Sequence, residues 1–182
     1  MRRDILAQRA SLSTEVIADS SRLICASVHE QWRALFADVR QVFLFHPVAK
    51  EPDLRNLVAF FRTQGIVVAL PVVHGRAMHF KTWEADDQLG SNSFNIKEPS
   101  NGKVCTVDQQ TLVFTPCLAL DLSGHRLGFG RGYYDRFLAA HNVISIGVCL
   151  QLFLYKSLPR EEHDCPVSYL LTEDGIKPSS RA

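Results

Sequence analysis

The sequence predicts an α/β protein: a three-layer α/β/α sandwich around a mostly parallel central sheet. Two observations carry that expectation. Short continuous apolar runs, such as Val42-Phe43-Leu44-Phe45 and Ile66 to Leu70, read as strands buried on both faces. Between these runs lie segments whose apolar residues recur at a helical period, and strands alternating with helices argue crossover connections. The length, 182 residues, fits one domain spanning 1–182. A chain of that size can bury a core without disulfides or a structural metal.

The elements follow in chain order. Residues 14 to 37 place Val16, Ile17, Leu23, Ile24, Val28, Trp32, Leu35 and Phe36 at a spacing near 3.6, so an amphipathic helix is expected, preceded by a shorter basic one. The Val42–Phe45 strand comes next. Pro52 is expected to open a second helix, where its missing N–H costs nothing, and Gly65 to close it. Ile66 to Leu70 forms the next strand, ended by Pro71, and Val72 to Trp83 reads as a hairpin around His74-Gly75-Arg76. The polar stretch to Val107 is too long for a plain connector and should line a site or carry small elements. Leu112 to Leu120 is strand-like with an interruption at Pro116, Gly132 to Ala140 helical, and Val143 to Cys149 and Val167 to Thr172 are strands. The tail KPSSRA should fray.

Charge excludes whole classes of partner. Lys and Arg total 20 against 19 Asp and Glu, a net charge of +1, so no global field draws nucleic acid or an anionic membrane. Small-molecule substrates are expected instead, with neither nucleic acid nor membrane as partner, and the protein is read as a monomer. Any anion must be held by a local cluster. Cys25, Cys105, Cys117, Cys149 and Cys165 show no Cys-x-x-Cys spacing, so reduced thiols are expected. The opening MRRDILAQRASLS has no apolar core of a signal peptide, and no run approaches the ~18 apolar residues of a membrane helix. A cytoplasmic protein is expected.

The densest chemical signal is Arg126-Leu127-Gly128-Phe129-Gly130-Arg131-Gly132-Tyr133-Tyr134-Asp135-Arg136. Alternate glycines remove the Cβ atoms that would keep a ligand off the backbone. The loop follows a strand and opens a helix, so unpaired amides and the positive helix end converge where a phosphate could sit. Arg126 and Arg131 could fork onto phosphate oxygens, each charge-assisted bond contributing roughly 1.5–3 kcal/mol. Asp135, in the first helical turn, would beside a polyphosphate be a natural magnesium ligand. Alone, the glycines are equally compatible with a tight turn. No Gly-Lys-Ser/Thr follows, so this is not a P-loop, and the spacing is wrong for a dinucleotide fingerprint.

The segment LVFTPCLALDLSGHRLGFGRGYYDRFLA closely resembles the signature of the 5-formyltetrahydrofolate cyclo-ligase family, also called methenyltetrahydrofolate synthetases. Leu12-Ser13, Glu51 and Asp53, Leu70-Pro71-Val72-Val73, and Leu158-Pro159 followed by Glu162-His163-Asp164 extend the resemblance over nearly the whole chain. It implies a Rossmann-like fold similar to the NagB/RpiA/CoA-transferase-like group. The implied activity is a magnesium- and ATP-dependent ligase that closes 5-formyltetrahydrofolate to 5,10-methenyltetrahydrofolate, ADP and phosphate.

Site residues are implied with it. Arg126, Leu127, Gly128, Phe129, Gly130, Arg131, Gly132, Tyr133 and Tyr134 would cradle the ATP phosphates, and Arg2 matches a further basic ATP contact. Asp135 and Asp164 match the two magnesium-ligand positions, with catalysis expected to turn on Arg131 and Asp135. His46, Glu51, Phe94 and Asn95, together with Phe129, Gly130, Arg131, Gly132 and Tyr133, fall at folate-contact positions. The chain departs from the family pattern in three places. A common lysine would fall upstream of Met1, a usual Gln is Phe153, and a common Thr is Leu54. A diverged folate- or nucleotide-binding module that has lost turnover is the alternative those departures leave open. A sugar-phosphate enzyme on a related scaffold is a third, since a phosphate loop does not choose the rest of its ligand.

Overall fold

The computed structural model describes residues 1–84, 87–92, 96–161 and 163–180. Helices α1 (Arg2–Ser11) and α2 (Thr14–Leu35) open the chain. The Ser13 hydroxyl accepts the Val16 N–H at 3.3 Å, capping a donor that α2 would otherwise leave unpaired. Strand β1 (Gln41–Phe43), helix α3 (Leu57–Thr63) and the hairpin strands β2 (Val67–His74) and β3 (Ala77–Thr82) follow. A small ribbon of β4 (Leu89–Ser91) and β5 (Lys97–Pro99) occupies the polar stretch. Then come β6 (Thr111–Pro116), β7 (Ala119–Asp121), β8 (Arg126–Leu127), α4 (Tyr133–Ala140) and β9 (Ile144–Val148). β10 (Leu154–Tyr155), β11 (Tyr169–Thr172) and β12 (Gly175–Pro178) complete the chain.

The result is a mixed α/β arrangement around a central, mostly parallel sheet of order β12-β11-β9-β6-β1-β2-β3. β11, β9, β6, β1 and β2 run parallel, while β12 and β3 are antiparallel edges. Register explains the continuous apolar runs. Val42 pairs with Val68 and Leu112, and all three join Leu44, Leu70 and Phe114 against α2 and α3. Phe43, Ala69 and Val113 point the other way, onto Phe80 and Phe137 of α4. With both faces covered, alternation has no reason to appear. A second cluster packs Ile5 of α1 against Leu118, Leu120, Phe153 and Leu158, around the small sheet β10-β7-β8. Among the described residues no helix is long and apolar enough to cross a membrane.

Four expectations need correction. Helix α3 begins at Leu57, not Pro52. The Asp53 amide donates to the Ser21 hydroxyl at 2.9 Å, which holds that stretch on α2, and the helix starts only after the Leu57→Leu54 and Val58→Arg55 turn bonds. Pro71 does not end β2 but lies inside it, opposite Phe80. Pairing to β1 ends at Ala69, so the missing N–H falls where no parallel neighbour waits. The Leu112–Leu120 run divides between two sheets, β6 in the large one and β7 in the small one. The tail does not fray through Ser180: β12 pairs with β11, and Ser179 and Ser180 donate to Ser168 and Leu122 carbonyls at 2.9 Å.

All five cysteines are free, with Cys25, Cys117 and Cys149 buried and Cys105 and Cys165 half-buried. Burial pushes the Cys25 and Cys117 thiols up to about 12, so neither is an activated nucleophile.

Candidate active site

A cleft of about 950 Å³ opens past the C-terminal ends of β1, β2 and β6, where Phe45, His46, Pro71, Val73 and Pro116 line it. That is where open parallel sheets bind their ligands. Its opposite wall is the stretch from Arg126 to Arg136, continued by Pro159 to Glu161 and by His163 and Asp164.

The Arg126–Arg136 wall is built by charge pairs and backbone contacts. Gly132 caps α4 with φ +64°, and Gly130 turns at φ +89°. The left-handed φ is what favours glycine at 132; a Cβ there would come within 2.8 Å of the Arg136 guanidinium, the mobile end of a long side chain. Arg126, with a side chain only 4% exposed, donates from Nη1 to the Cys165 carbonyl at 2.8 Å and from Nη2 to Asp135 Oδ1 at 2.5 Å. Arg2 reaches across from α1, its Nε donating to the Gly128 carbonyl at 2.8 Å. Arg136 donates to the carbonyls of Arg76 and Arg131, and the Tyr133 hydroxyl to that of Gly75 at 2.9 Å. The β2–β3 turn is thereby clamped to the start of α4. Tyr134 turns inward: its hydroxyl is buried without a partner, and burial, then the Glu51 and Cys117 groups, hold it in its neutral form.

The opposite wall holds a different kind of acid. Glu51 is 3% exposed. Its Oε2 accepts the Val48 amide at 3.0 Å, while Oε1 has no partner. Burial raises its carboxyl to about 7, against smaller opposing pulls from the Val48 amide and Arg9. The turn that delivers it is strained: Ala49 and Lys50 sit at φ 47° and 60°, a left-handed pair with no glycine. The end of α1 stabilises that turn, for Arg9, 1% exposed, donates to the carbonyls of Lys50 and Cys117 at 3.2 and 2.9 Å. The Lys50 ammonium in turn donates to the Ala10 and Leu12 carbonyls. His46 is half-buried nearby, and burial, then the Arg55 charge, lower its pKa. Glu98 lines this side too, its Oε1 accepting from the Val73 amide at 3.0 Å and the Asn92 side chain at 2.6 Å.

The cleft therefore gathers Arg2, His46, Glu51, the whole Arg126–Asp135 stretch and Asp164. Phe94 and Asn95 lie outside the described residues, between Asn92 and the cleft-lining Ile96. Asp53 does not line the cleft; its carboxylate pairs with Arg55 at 2.6 Å. Two of the three departures from the family pattern point away from the site. Phe153 is fully buried with the Arg9 guanidinium 5.7 Å from its ring, and Leu54 is fully buried against α2 and α3.

A sequence model of the 5-formyltetrahydrofolate cyclo-ligase family matches residues 1–173. The chain belongs to that family. Among cyclo-ligase relatives, the 5-formyltetrahydrofolate cyclo-ligase of Haemophilus influenzae is 30% identical over 140 residues, covering 72% of this chain and 75% of that protein. The enzyme of the same name from Mycolicibacterium smegmatis is 32% identical over 142 residues, 73% of each chain. Of solved structures, the 5,10-methenyltetrahydrofolate synthetase of Aquifex aeolicus superposes with a TM-score of 0.80 at 32% identity, covering 98% of this chain and 91% of that one. A Mycoplasma pneumoniae synthetase at 18% identity and a TM-score of 0.75 shares the fold.

Sequence reasoning missed several residues of this cyclo-ligase cleft. Glu98 and Met78 carry no local signal, since each reaches the site through strand pairing. Arg136 stood inside the glycine motif without a role; its acceptor at Arg76 is 60 residues away. Nothing in the helical period marks Arg9 as buried.

For magnesium, the test is the donor set. Among the described residues no three His, Cys, Asp or Glu side chains converge as a metal cage. Magnesium asks less of a nucleotide site: one or two carboxylates plus phosphate oxygens and water. Asp135 and Asp164 both line this wall of the cleft, and Arg126 bonds the Asp135 carboxylate and the carbonyl of Cys165, the residue after Asp164. Two carboxylates beside the glycine loop are a donor set that such an ion accepts.

Proposed function

We propose that this chain closes 5-formyltetrahydrofolate to 5,10-methenyltetrahydrofolate at the expense of ATP, releasing ADP and phosphate. The family match over residues 1–173 is the observation that carries the reading. The two unlike walls support it, one suited to phosphates and one to a flat heterocycle. We also read the two packed faces of the central sheet as outer layers of a Rossmann-like α/β/α sandwich.

A formamide is a poor electrophile because its nitrogen lone pair is delocalised. Its oxygen attacks the γ-phosphorus, and the bond to ADP breaks. The neighbouring amine then attacks the activated carbon. Phosphate leaves with the formyl oxygen, and the amine's proton ends on that phosphate. Such a transfer depends on positioning and charge neutralisation rather than a protein nucleophile. Arg131, Arg2 and the backbone from Gly128 to Gly132 would hold the phosphates at the start of α4. Magnesium, held by Asp135 and Asp164, would offset charge on the transferring phosphoryl group. On the facing wall, Glu51 Oε1 would accept N–H groups of the pterin, which explains a buried carboxylate oxygen left without a partner. His46, Phe94 and Asn95 are assigned to the same ligand, and Phe129 and Tyr133 to the border between the two.

The test is direct. Mixing the protein with magnesium-ATP and 5-formyltetrahydrofolate should generate the absorbance of the methenyl product with one ADP per turnover. Binding of both ligands without product would select a non-catalytic binding module instead.

A further inference from the structure

Arg126 stands in the glycine motif as a phosphate ligand would, yet its surroundings suit another task. A guanidinium that clamps an anion must present its N–H fork to the ligand. That of Arg126 is 4% exposed, and both terminal nitrogens are engaged, one by the first turn of α4 and the other by the 159–165 segment. Its two acceptors are informative. Asp135 is touched directly, through Oδ1 at 2.5 Å. The other acceptor, the Cys165 carbonyl, is one residue past Asp164, whose own Oδ2 accepts the Glu161 amide at 2.8 Å. One planar side chain thus spans the two elements that carry the paired acids.

We infer that Arg126 is a positioning residue for the divalent cation, holding Asp135 by one carboxylate oxygen and fixing the backbone that carries Asp164, and is not a phosphate ligand. The inference rests on the reading of Asp135 and Asp164 as magnesium ligands. Partners that orient metal-binding carboxylates commonly change metal affinity ~10–100-fold when removed. A lysine presents a point charge without the fork and can serve one of the two acceptors, not both. Arg131 and Arg2, both exposed, keep the phosphate role proposed for them.

The experiment separates metal from nucleotide. A non-hydrolysable ATP analogue is titrated by calorimetry in EDTA, and Mn²⁺ binding to the analogue complex is followed by electron paramagnetic resonance. Wild type, Arg126→Ala, Arg126→Lys and Arg126→Gln are compared, the last keeping an amide donor should the alanine variant fail to fold. Expected are Mn²⁺ affinities weakened ~10–100-fold, metal-free analogue affinity within about twofold of wild type, and only partial recovery in Arg126→Lys. Loss of metal-free analogue binding in step with Mn²⁺ binding would make Arg126 a phosphate ligand and overturn the inference. Unchanged Mn²⁺ affinity in the folded variants, with wild type still forming the methenyl product, would overturn it and leave the proposed function standing. Wild type that neither forms product nor binds Mn²⁺ with the analogue would remove both.

Discussion

Asp135 and Glu51 face one cleft from opposite walls and live under opposite conditions. Asp135 is 27% exposed at the side chain and bonded to a guanidinium. Glu51 is 3% exposed, with one oxygen on a backbone amide and the other on nothing. On the proposed function, the difference prepares the cleft for two ligands of unlike chemistry. Toward a polyanion it must keep its own acids tethered, or they would repel the phosphates. Toward a neutral ring rich in N–H donors it can bury an acid and leave the missing partner for the ligand to supply.

The largest expected effect tests the tethered side. Asp135→Asn and Arg131→Ala should each lower kcat/KM at least ~10²-fold, the equivalent of about 3 kcal/mol of transition-state stabilisation. Steady-state rates near wild type in folded protein would break the contrast. The next concerns the buried acid and the pH dependence of folding. Because the folded state raises Glu51 to about 7, its neutral form is favoured there, and wild type loses stability as pH climbs from about 4.5 to 7. Glu51→Gln is spared that loss. Its thermal or urea stability relative to wild type should therefore grow across this window by as much as about 3 kcal/mol and level off above it. A difference that stays flat with pH would mean the carboxylate is not neutral in the free protein.

Smaller effects sharpen the same contrast. Glu51→Gln should raise the folate KM about tenfold, as expected when a buried N–H donor loses its acceptor, with the ATP KM unchanged; steady-state kinetics with each substrate varied in turn would read this. Arg2→Ala, which removes an exposed cation seated on Gly128, should weaken ATP only a few-fold, in keeping with the modest worth of solvated charges. A drop as large as that of Arg131→Ala would shift the centre of phosphate binding toward α1.

Much of this was legible in the chain. The strands at Val42 and Ile66 announce themselves because both sheet faces are covered, which leaves uninterrupted apolar runs. The glycine turn and the helix start after it could be read because backbone conformation there is a local matter. What stayed hidden is whatever long-range contacts decide. Pro52 carries a helix-start signal, but the hydroxyl of Ser21, 32 residues before Asp53, takes the Asp53 amide and ties that stretch to α2. Pro71 looks like a strand terminator until one sees that β1 has already ended. Arg126 reads as a phosphate clamp from its neighbours in the motif, while its acceptor at Cys165, 39 residues away, lies outside any local view. Residue types gave the ingredients of each wall, and only the fold decides which charges already have company.

Helix α1 touches both walls at once. Arg2 bonds the glycine loop at Gly128, and Arg9, two turns on, bonds the turn that presents Glu51. It works as a brace pinned to two doorposts, so on the proposed function a clip that severed it after Ser11 would loosen the nucleotide and pterin sites together, although Arg2 alone of their assigned residues lies on the severed piece.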